Sequence, residues 1–177
     1  MIQTERLKLK PVERPDIALL HQISIHCSDG MIGLDYESVG VSQFYDRMKN
    51  TAKKTFCIIF KERLIGYIQI QIIEFNCSVT ELVIMDTYRK EGLGVEAVLE
   101  IIDYSFNKLI VHRVECSVYG VNRNLDYMLS KVPGLKKEGI KREVAKVDGE
   151  WYDIAIWATL DKDFFKNYTS RYRKKEK

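Results

Sequence analysis

Two glycines, Gly92 and Gly94, stand between an apolar run and an amphipathic helix pattern, and this junction constrains the chain more than any other stretch. The run Leu82-Val83-Ile84-Met85 reads as a strand. The stretch from Val95 to Leu109 reads as a helix carrying Val95, Val98, Leu99, Ile102 and Phe106 on one face. Glycine at a strand-to-helix junction lets the backbone turn sharply and come close to a ligand. The first amides of the helix then point outward without partners, at the positive end of its dipole. Such a helix start is an anion site, and phosphate or pyrophosphate is its usual occupant. Tyr88-Arg89-Lys90-Glu91-Gly92-Leu93-Gly94-Val95-Glu96-Ala97 therefore reads as a backbone cradle for a phosphorylated cofactor, or as a plain glycine turn before a helix.

The spacing separates this cradle from the common nucleotide loops. A P-loop needs Lys and then Ser or Thr after its last glycine, and here Val95 and Glu96 follow. A dinucleotide fingerprint needs G-x-G-x-x-G, and Ala97 satisfies only its relaxed form, without the strand-turn opening of that fold.

Arg89-x-x-Gly92-x-Gly94 resembles the Q/R-x-x-G-x-G/A element of the GNAT acetyltransferases, which binds the pyrophosphate of acetyl-CoA. Other segments are similar to that superfamily in the same order. Thr4-Glu5-Arg6-Leu7-Lys8-Leu9-Lys10-Pro11-Val12, followed by Asp16, resembles the opening of the branch that includes the ribosomal-protein alanine N-acetyltransferases. Leu109-Ile110-Val111-His112-Arg113-Val114-Glu115 resembles its fifth strand, and Asn122 opens the next helix. Gly134-Leu135-Lys136-Lys137-Glu138-Gly139, Arg142, Asp148-Gly149-Glu150 and Trp151-Tyr152-Asp153 resemble its closing hairpin. The resemblance spans nearly the whole chain. It implies an α/β fold with a central mixed seven-stranded sheet, whose fourth and fifth strands splay apart around the pantetheine arm, flanked by about four helices.

Periodicity alone orders the elements compatibly. Leu7 to Val12 fits an edge strand, Asp16 to His26 a helix, and Ser42 to Asn50 a short helix with Ser42 as its cap. Thr55 to Phe60 and Leu64 to Ile73 form a hairpin around Lys61-Glu62-Arg63. Asn76-Cys77-Ser78 turns into a strand from Val79 to Met85. Val111 to Val118 is a strand, and Asn122 to Val132 a helix ending at Pro133-Gly134. Gly139 to Val147 and Trp151 to Leu160 form a last hairpin around Asp148-Gly149. Strand-helix-strand around Val95 to Leu109 makes a parallel crossover.

At 177 residues the chain is long enough for one domain with a real core. The division expected is a catalytic domain over 1–165 and a basic tail over 166–177, which holds Arg171, Arg173, Lys174, Lys175 and Lys177. The net charge of +3 and the lack of a basic face or an aromatic nucleic-acid motif argue against a nucleic-acid partner. No apolar run is long enough to span a membrane and the N-terminus alternates charge with Leu, so the expected location is cytoplasmic. Cys27, Cys57, Cys77 and Cys116 are scattered, and Cys57 and Cys116 read as small buried hydrophobes. His21, His26 and His112 have no metal-ligand spacing, so no metal is expected.

The resemblance implies which residues meet the cofactor: the backbone of Leu82, Val83 and Ile84 along the pantetheine arm, Arg89, Lys90, Glu91, Gly92, Leu93, Gly94 and Val95 around the pyrophosphate, and Asn122 on the arm or simply as a helix cap. It implies acetyl transfer to an amine by direct attack, with acetyl-CoA as co-substrate. The amine must lose a proton, and Glu115, mid-strand between Val114 and Cys116, is the first candidate base if it faces the splayed cleft. A surface Glu115 paired with Arg113 is the alternative, and Glu81 is the second candidate. The slot where many relatives place an acidic Tyr is Leu129, with Tyr127 and Ser130 out of register. The acceptor is a small-molecule amine or a protein N-terminus, gripped in part by Cys27 to Gly40, where Asp29, Asp35 and Glu37 lie. Monomer and homodimer both stay open, as does a GNAT-like module that only binds or senses acyl-CoA.

Overall fold

The computed structural model describes residues 1–27, 40–120, 122–147 and 149–168. Residues 28–39, with Asp29, Asp35 and Glu37, Asp148, and residues 169–177, with Arg171, Arg173, Lys174, Lys175 and Lys177, lie outside that set. The elements run β1 (Ile2–Gln3), β2 (Leu7–Pro11), α1 (Ile17–His26), α2 (Val41–Met48), β3 (Lys53–Phe60), β4 (Arg63–Ile73), β5 (Asn76–Ile84), α3 (Leu93–Lys108), β6 (Arg113–Tyr119), α4 (Arg123–Leu129), β7 (Lys136–Val147), β8 (Glu150–Leu160) and α5 (Asp161–Asn167). The strands make one mixed sheet in the order β1-β2-β3-β4-β5-β6-β8-β7. Every neighbouring pair is antiparallel except β5 with β6, the pair joined by the α3 crossover. The mixed sheet and crossover expected from the pattern are present. The eighth strand is β1, whose two residues pair with Lys8 and Leu9. The fourth and fifth strands of the resemblance are thus β5 and β6.

Local chemistry sets the turns. Phe60 pairs with Arg63, so the hairpin turn is Lys61-Glu62, both left-handed at φ 48° and 59°, as a two-residue hairpin turn of matching twist demands. Ile73 pairs with Asn76, which moves the next turn to Glu74-Phe75 with Glu74 at φ 55°. Asn76, Cys77 and Ser78 are therefore strand residues, a correction to the turn read from their polarity. Helix α2 is capped at Gly40, two residues before the Ser42 expected in that place, and Ser42 makes no cap. Helix α4 stops at Leu129, before Pro133, with Ser130 closing its last turn.

The sheet has an apolar core on each face. Helix α3 buries Leu93, Ala97, Val98, Ile101, Ile102 and Phe106 against Ile68, Ile70, Cys77, Val79, Leu82, Val114, Cys116 and Val118. Phe164 of α5 closes this layer, and Tyr168 stacks on it at 4.8 Å, so α5 packs across residue 165. On the other face Ile17, Leu20 and Ile23 of α1 and Phe44 and Met48 of α2 pack on Cys57, Tyr67 and Val83. All four cysteines are free and buried. Burial pushes the Cys57 thiol up to about 12 and raises that of Cys116 as well, which makes both inert fillers. No described helix is long and apolar enough to cross a membrane.

Candidate active site

The sheet parts at β5 and β6. These strands pair in parallel only from Asn76 with Arg113 to Val79 with Cys116. One residue later β5 carries an irregularity: Ile70 opposes Val79 and Gln69 opposes Glu81, so Thr80 is the extra residue of a bulge. A bulge bends and twists its strand and ends regular pairing. It also shifts side-chain parity. Val79 and Leu82, of opposite parity, both face the α3 core, and Glu81 and Val83 turn to the α1/α2 face. Thr80 anchors the bulge by bonding the Gln69 carbonyl (3.3 Å) and Oε1 (3.2 Å), while Gln69 Nε2 donates to Thr55 Oγ1 at 2.9 Å. Beyond it, Thr80 to Ile84 and Ser117 to Tyr119 diverge. Strand backbone alternates its direction, so every second amide of this part of β5 points into the gap.

Glu81 sits just past the parting and is 5% exposed. Its Oε2 accepts the Tyr67 hydroxyl proton at 3.0 Å, and Arg47 of α2 stands 3.6 Å from Oε1. Glu115 is placed differently from the sequence expectation. It faces away from Val114 and Cys116 as the alternation required, but it pairs with Ser78 in the closed part of the two strands. It accepts from Ser78 Oγ at 3.2 Å and pairs with Arg113 at 3.3 Å, and Arg113 also holds Glu138 at 2.7 Å. The register of β6 against β5 decides this, and no one-strand pattern contains it. Glu81 and Glu115 are thus on separate parts of the strand pair.

Helix α3 begins at the mouth of the gap. Its cap, Gly92, is left-handed at φ 78°, and no side chain caps the helix. The first helical bond is from the Glu96 amide to the Gly92 carbonyl at 3.1 Å. The amides of Leu93, Gly94 and Val95 therefore have no partner within the helix. A β-carbon on Gly94 would meet Met128 Sδ of α4 at 2.6 Å, so a larger residue there requires the flexible Met128 side chain to move aside. Arg89 braces the loop: Nε donates to the Ile84 carbonyl at 3.0 Å, and Nη2 reaches the Cys27 carbonyl at 3.2 Å and Asp86 at 2.8 Å. Lys90 is left-handed at φ 66° and exposed, and Glu91 is exposed.

Sequence reasoning missed a clamp on this loop. Arg6, between β1 and β2, donates Nε to Glu96 Oε2 at 2.7 Å and Nη1 to the Glu91 carbonyl at 2.9 Å. The Arg6 amide and the Thr4 hydroxyl bond Glu96 Oε1. Partial burial opposes ionisation of Glu96, but the donors from Thr4 and Arg6 outweigh it and hold the carboxyl below its usual range. The only signal in the sequence was the charge alternation of the opening strand, which names no partner.

Asn122 caps α4, its Oδ1 accepting from the Leu125 amide at 2.9 Å. Asn122→Ala is expected to lower unfolding stability by about 1 kcal/mol, the usual loss of such a cap, measured by urea denaturation. Leu129 is fully buried and Tyr127 is exposed, so α4 brings no tyrosine to the expected slot. Ser130 Oγ turns back to the Tyr127 carbonyl. Among the described residues no cluster of His, Cys, Asp and Glu is arranged to hold a metal.

Comparison with known proteins matches this geometry. The Acetyltransferase (GNAT) family model covers residues 21–126, which contain the parted strand pair, the glycine loop and the start of α4. A probable N-acetyltransferase of Bacillus subtilis, YjcK, is 28% identical over 147 residues, 80% of this chain and 81% of that one. A GNAT-family acetyltransferase of Bacillus anthracis superposes with a TM-score of 0.79 over 91% of this chain and 98% of its own, at 22% identity. The spermidine N-acetyltransferase of Vibrio cholerae, solved with CoA and spermine, superposes with a TM-score of 0.75 over 92% and 99% of the two chains, at 18% identity. The family model spans the parted strand pair and the uncapped, glycine-led helix start, and with most of its length matching that model the chain belongs to the GNAT acetyltransferases, acyltransferases that depend on acetyl-CoA.

Proposed function

We propose that the chain acetylates the primary amine of a small molecule by direct attack on acetyl-CoA, with Glu81 as the group that takes the amine proton. One observation carries the choice of base. On the parted ends of β5 and β6, Thr80 to Ile84 and Ser117 to Tyr119, Glu81 is the only carboxylate. Glu115 is the second candidate and sits behind the parting, tied to Arg113 and Ser78.

The residues divide the work as follows. The amides of Leu93, Gly94 and Val95, with the loop Arg89-Lys90-Glu91-Gly92, cradle the diphosphate of acetyl-CoA. Arg89 serves by bracing the loop. The backbone of Leu82, Val83 and Ile84 bonds the pantetheine arm, and a gap-facing amide stabilises the oxygen of the thioester as it gains charge. Asn122 fixes the start of α4 beside the arm. The amine nitrogen attacks the thioester carbonyl carbon, its proton passes to Glu81 directly or through one water, and the carbon–sulfur bond breaks to release the CoA thiolate. With Leu129 in the tyrosine slot, the thiolate departs without an acid from α4. A thiolate is a fair leaving group unaided.

The spermine-bound relative supports a small-molecule amine over a protein N-terminus as acceptor. The four unbridged cysteines fit a reducing, cytoplasmic setting. Thiol release from acetyl-CoA with a panel of polyamines, amino sugars, amino acids and N-terminal peptides tests the reading. Turnover with one of the small amines is expected. Turnover only with peptides overturns the acceptor class, and CoA binding without any turnover favours a sensing module. Binding itself is checked by thermal melting: CoA at 100 times its Kd stabilises the fold by about 2.7 kcal/mol. No shift in Tm at millimolar CoA overturns the cofactor assignment.

A further inference from the structure

We propose that Arg6 binds the diphosphate of acetyl-CoA through its Nη2, a cofactor contact supplied by the N-terminal segment from outside the glycine loop. The inference rests on the assignment of the diphosphate to the start of α3. Arg6 lies 86 residues before Gly92 in sequence, yet its guanidinium lies along the loop. Nε is fixed by Glu96 and Nη1 by the Glu91 carbonyl. Among the described residues Nη2 meets no acceptor. A β-carbon built on Gly92 would stand 3.5 Å from Nη2, and among the described residues Nη2 is the single atom within 4 Å of it apart from the immediate chain neighbours. The space above the glycine is therefore open except for one cationic edge.

That arrangement suits a phosphate oxygen. A guanidinium offers five donors in a rigid fork, and here two of its nitrogens are anchored while the third faces the space where the loop leaves room. The anchoring is made before any ligand arrives, so little side-chain freedom is lost on binding. The side chain is 40% exposed, which keeps it within reach of a ligand entering from solvent. Glu96 also has a defined part. It holds the fork in position, and its charge is met by three donors from Thr4 and Arg6. Without Arg6 the same carboxylate would oppose the phosphates.

Calorimetric titration of CoA, 3′-dephospho-CoA and pantetheine into wild type, Arg6→Gln and Glu96→Gln tests the contact. Arg6→Gln is expected to weaken CoA and 3′-dephospho-CoA alike by roughly 10- to 100-fold, the range for a lost hydrogen bond to a charged group, and to leave pantetheine unchanged. Glu96→Gln loosens the clamp but keeps the cation, so its loss is expected to be clearly smaller. Arg6→Gln binding CoA as wild type overturns the proposal. So does a loss confined to CoA, which would place Arg6 on the 3′-phosphate, and so does an equal loss in both variants, which would make the pair a clamp only. Should Arg6→Gln not fold by circular dichroism, Arg6→Lys keeps the charge without the fork. It is then expected to bind both phosphorylated ligands several-fold more weakly, and unchanged affinity refutes the contact. Wild type failing to bind CoA would instead refute the cofactor site itself.

Discussion

Replacing Glu81 by Gln is expected to lower the turnover rate by 10²-fold or more at pH 7, the scale of a positioned general base. The reason is the state of the acceptor. An alkylamine has a pKa near 10.4, so about one molecule in 2,500 arrives neutral at pH 7. A base at the parted strands lets the protonated majority be used. The loss should shrink as pH rises toward 10, where the amine no longer needs help. Gln preserves the volume of the side chain and can still accept the Tyr67 hydroxyl proton, so the fold and the affinity for CoA should change little. Glu115→Gln is the matched control. Its carboxylate is tied to Arg113 and Ser78 where the strands are still paired, and turnover is expected to stay within a few-fold of wild type. Steady-state rates of both variants from pH 6 to 10 decide the matter. Should Glu115→Gln show the large, pH-dependent loss instead, the base is on β6 and Glu81 is a buried structural pair.

The other large effect concerns the loop. Gly92→Glu is expected to abolish the CoA-induced rise in Tm. Any L side chain at φ 78° carries strain of about 1–2 kcal/mol, and Gly92→Ala measures that term alone. The Glu variant adds a carboxylate in the open space beside Arg6 Nη2, where it pairs with the guanidinium and repels the diphosphate. Ala should therefore keep a reduced shift and Glu should keep none, with both proteins folded by circular dichroism. A normal shift in a folded Gly92→Glu protein would move the diphosphate elsewhere.

Much of this chain was legible along one dimension. The glycine junction, the α3 stripe and the two hairpins are local facts. Each rests on periodicity, turn chemistry or the freedom of a residue without a β-carbon, and each is present within a few residues of where the pattern put it. The order of these elements was enough to place a parallel crossover after the glycine loop, because handedness and connection length leave few alternatives.

What remained hidden depends on partners in space. The bulge at Thr80 adds one residue to β5, and nothing in Val79-Thr80-Glu81-Leu82 announces it. Yet that one residue reverses which side chains face α3, carries Glu81 to the opposite layer and starts the parting of the strands. Glu115 illustrates the reverse case: its outward alternation was read correctly, but its depth in the cleft depends on its register opposite Ser78, a relation between strands. The contact of Arg6 with Glu91 and Glu96 joins segments 85 and 90 residues apart. The sequence by itself thus determined the chemistry available at the helix start, because backbone geometry there follows from glycine alone. Only the tertiary structure decided which carboxylate stands at the gap and which cation guards the loop, because pairing register and long-range contacts are set by the packing of the whole sheet.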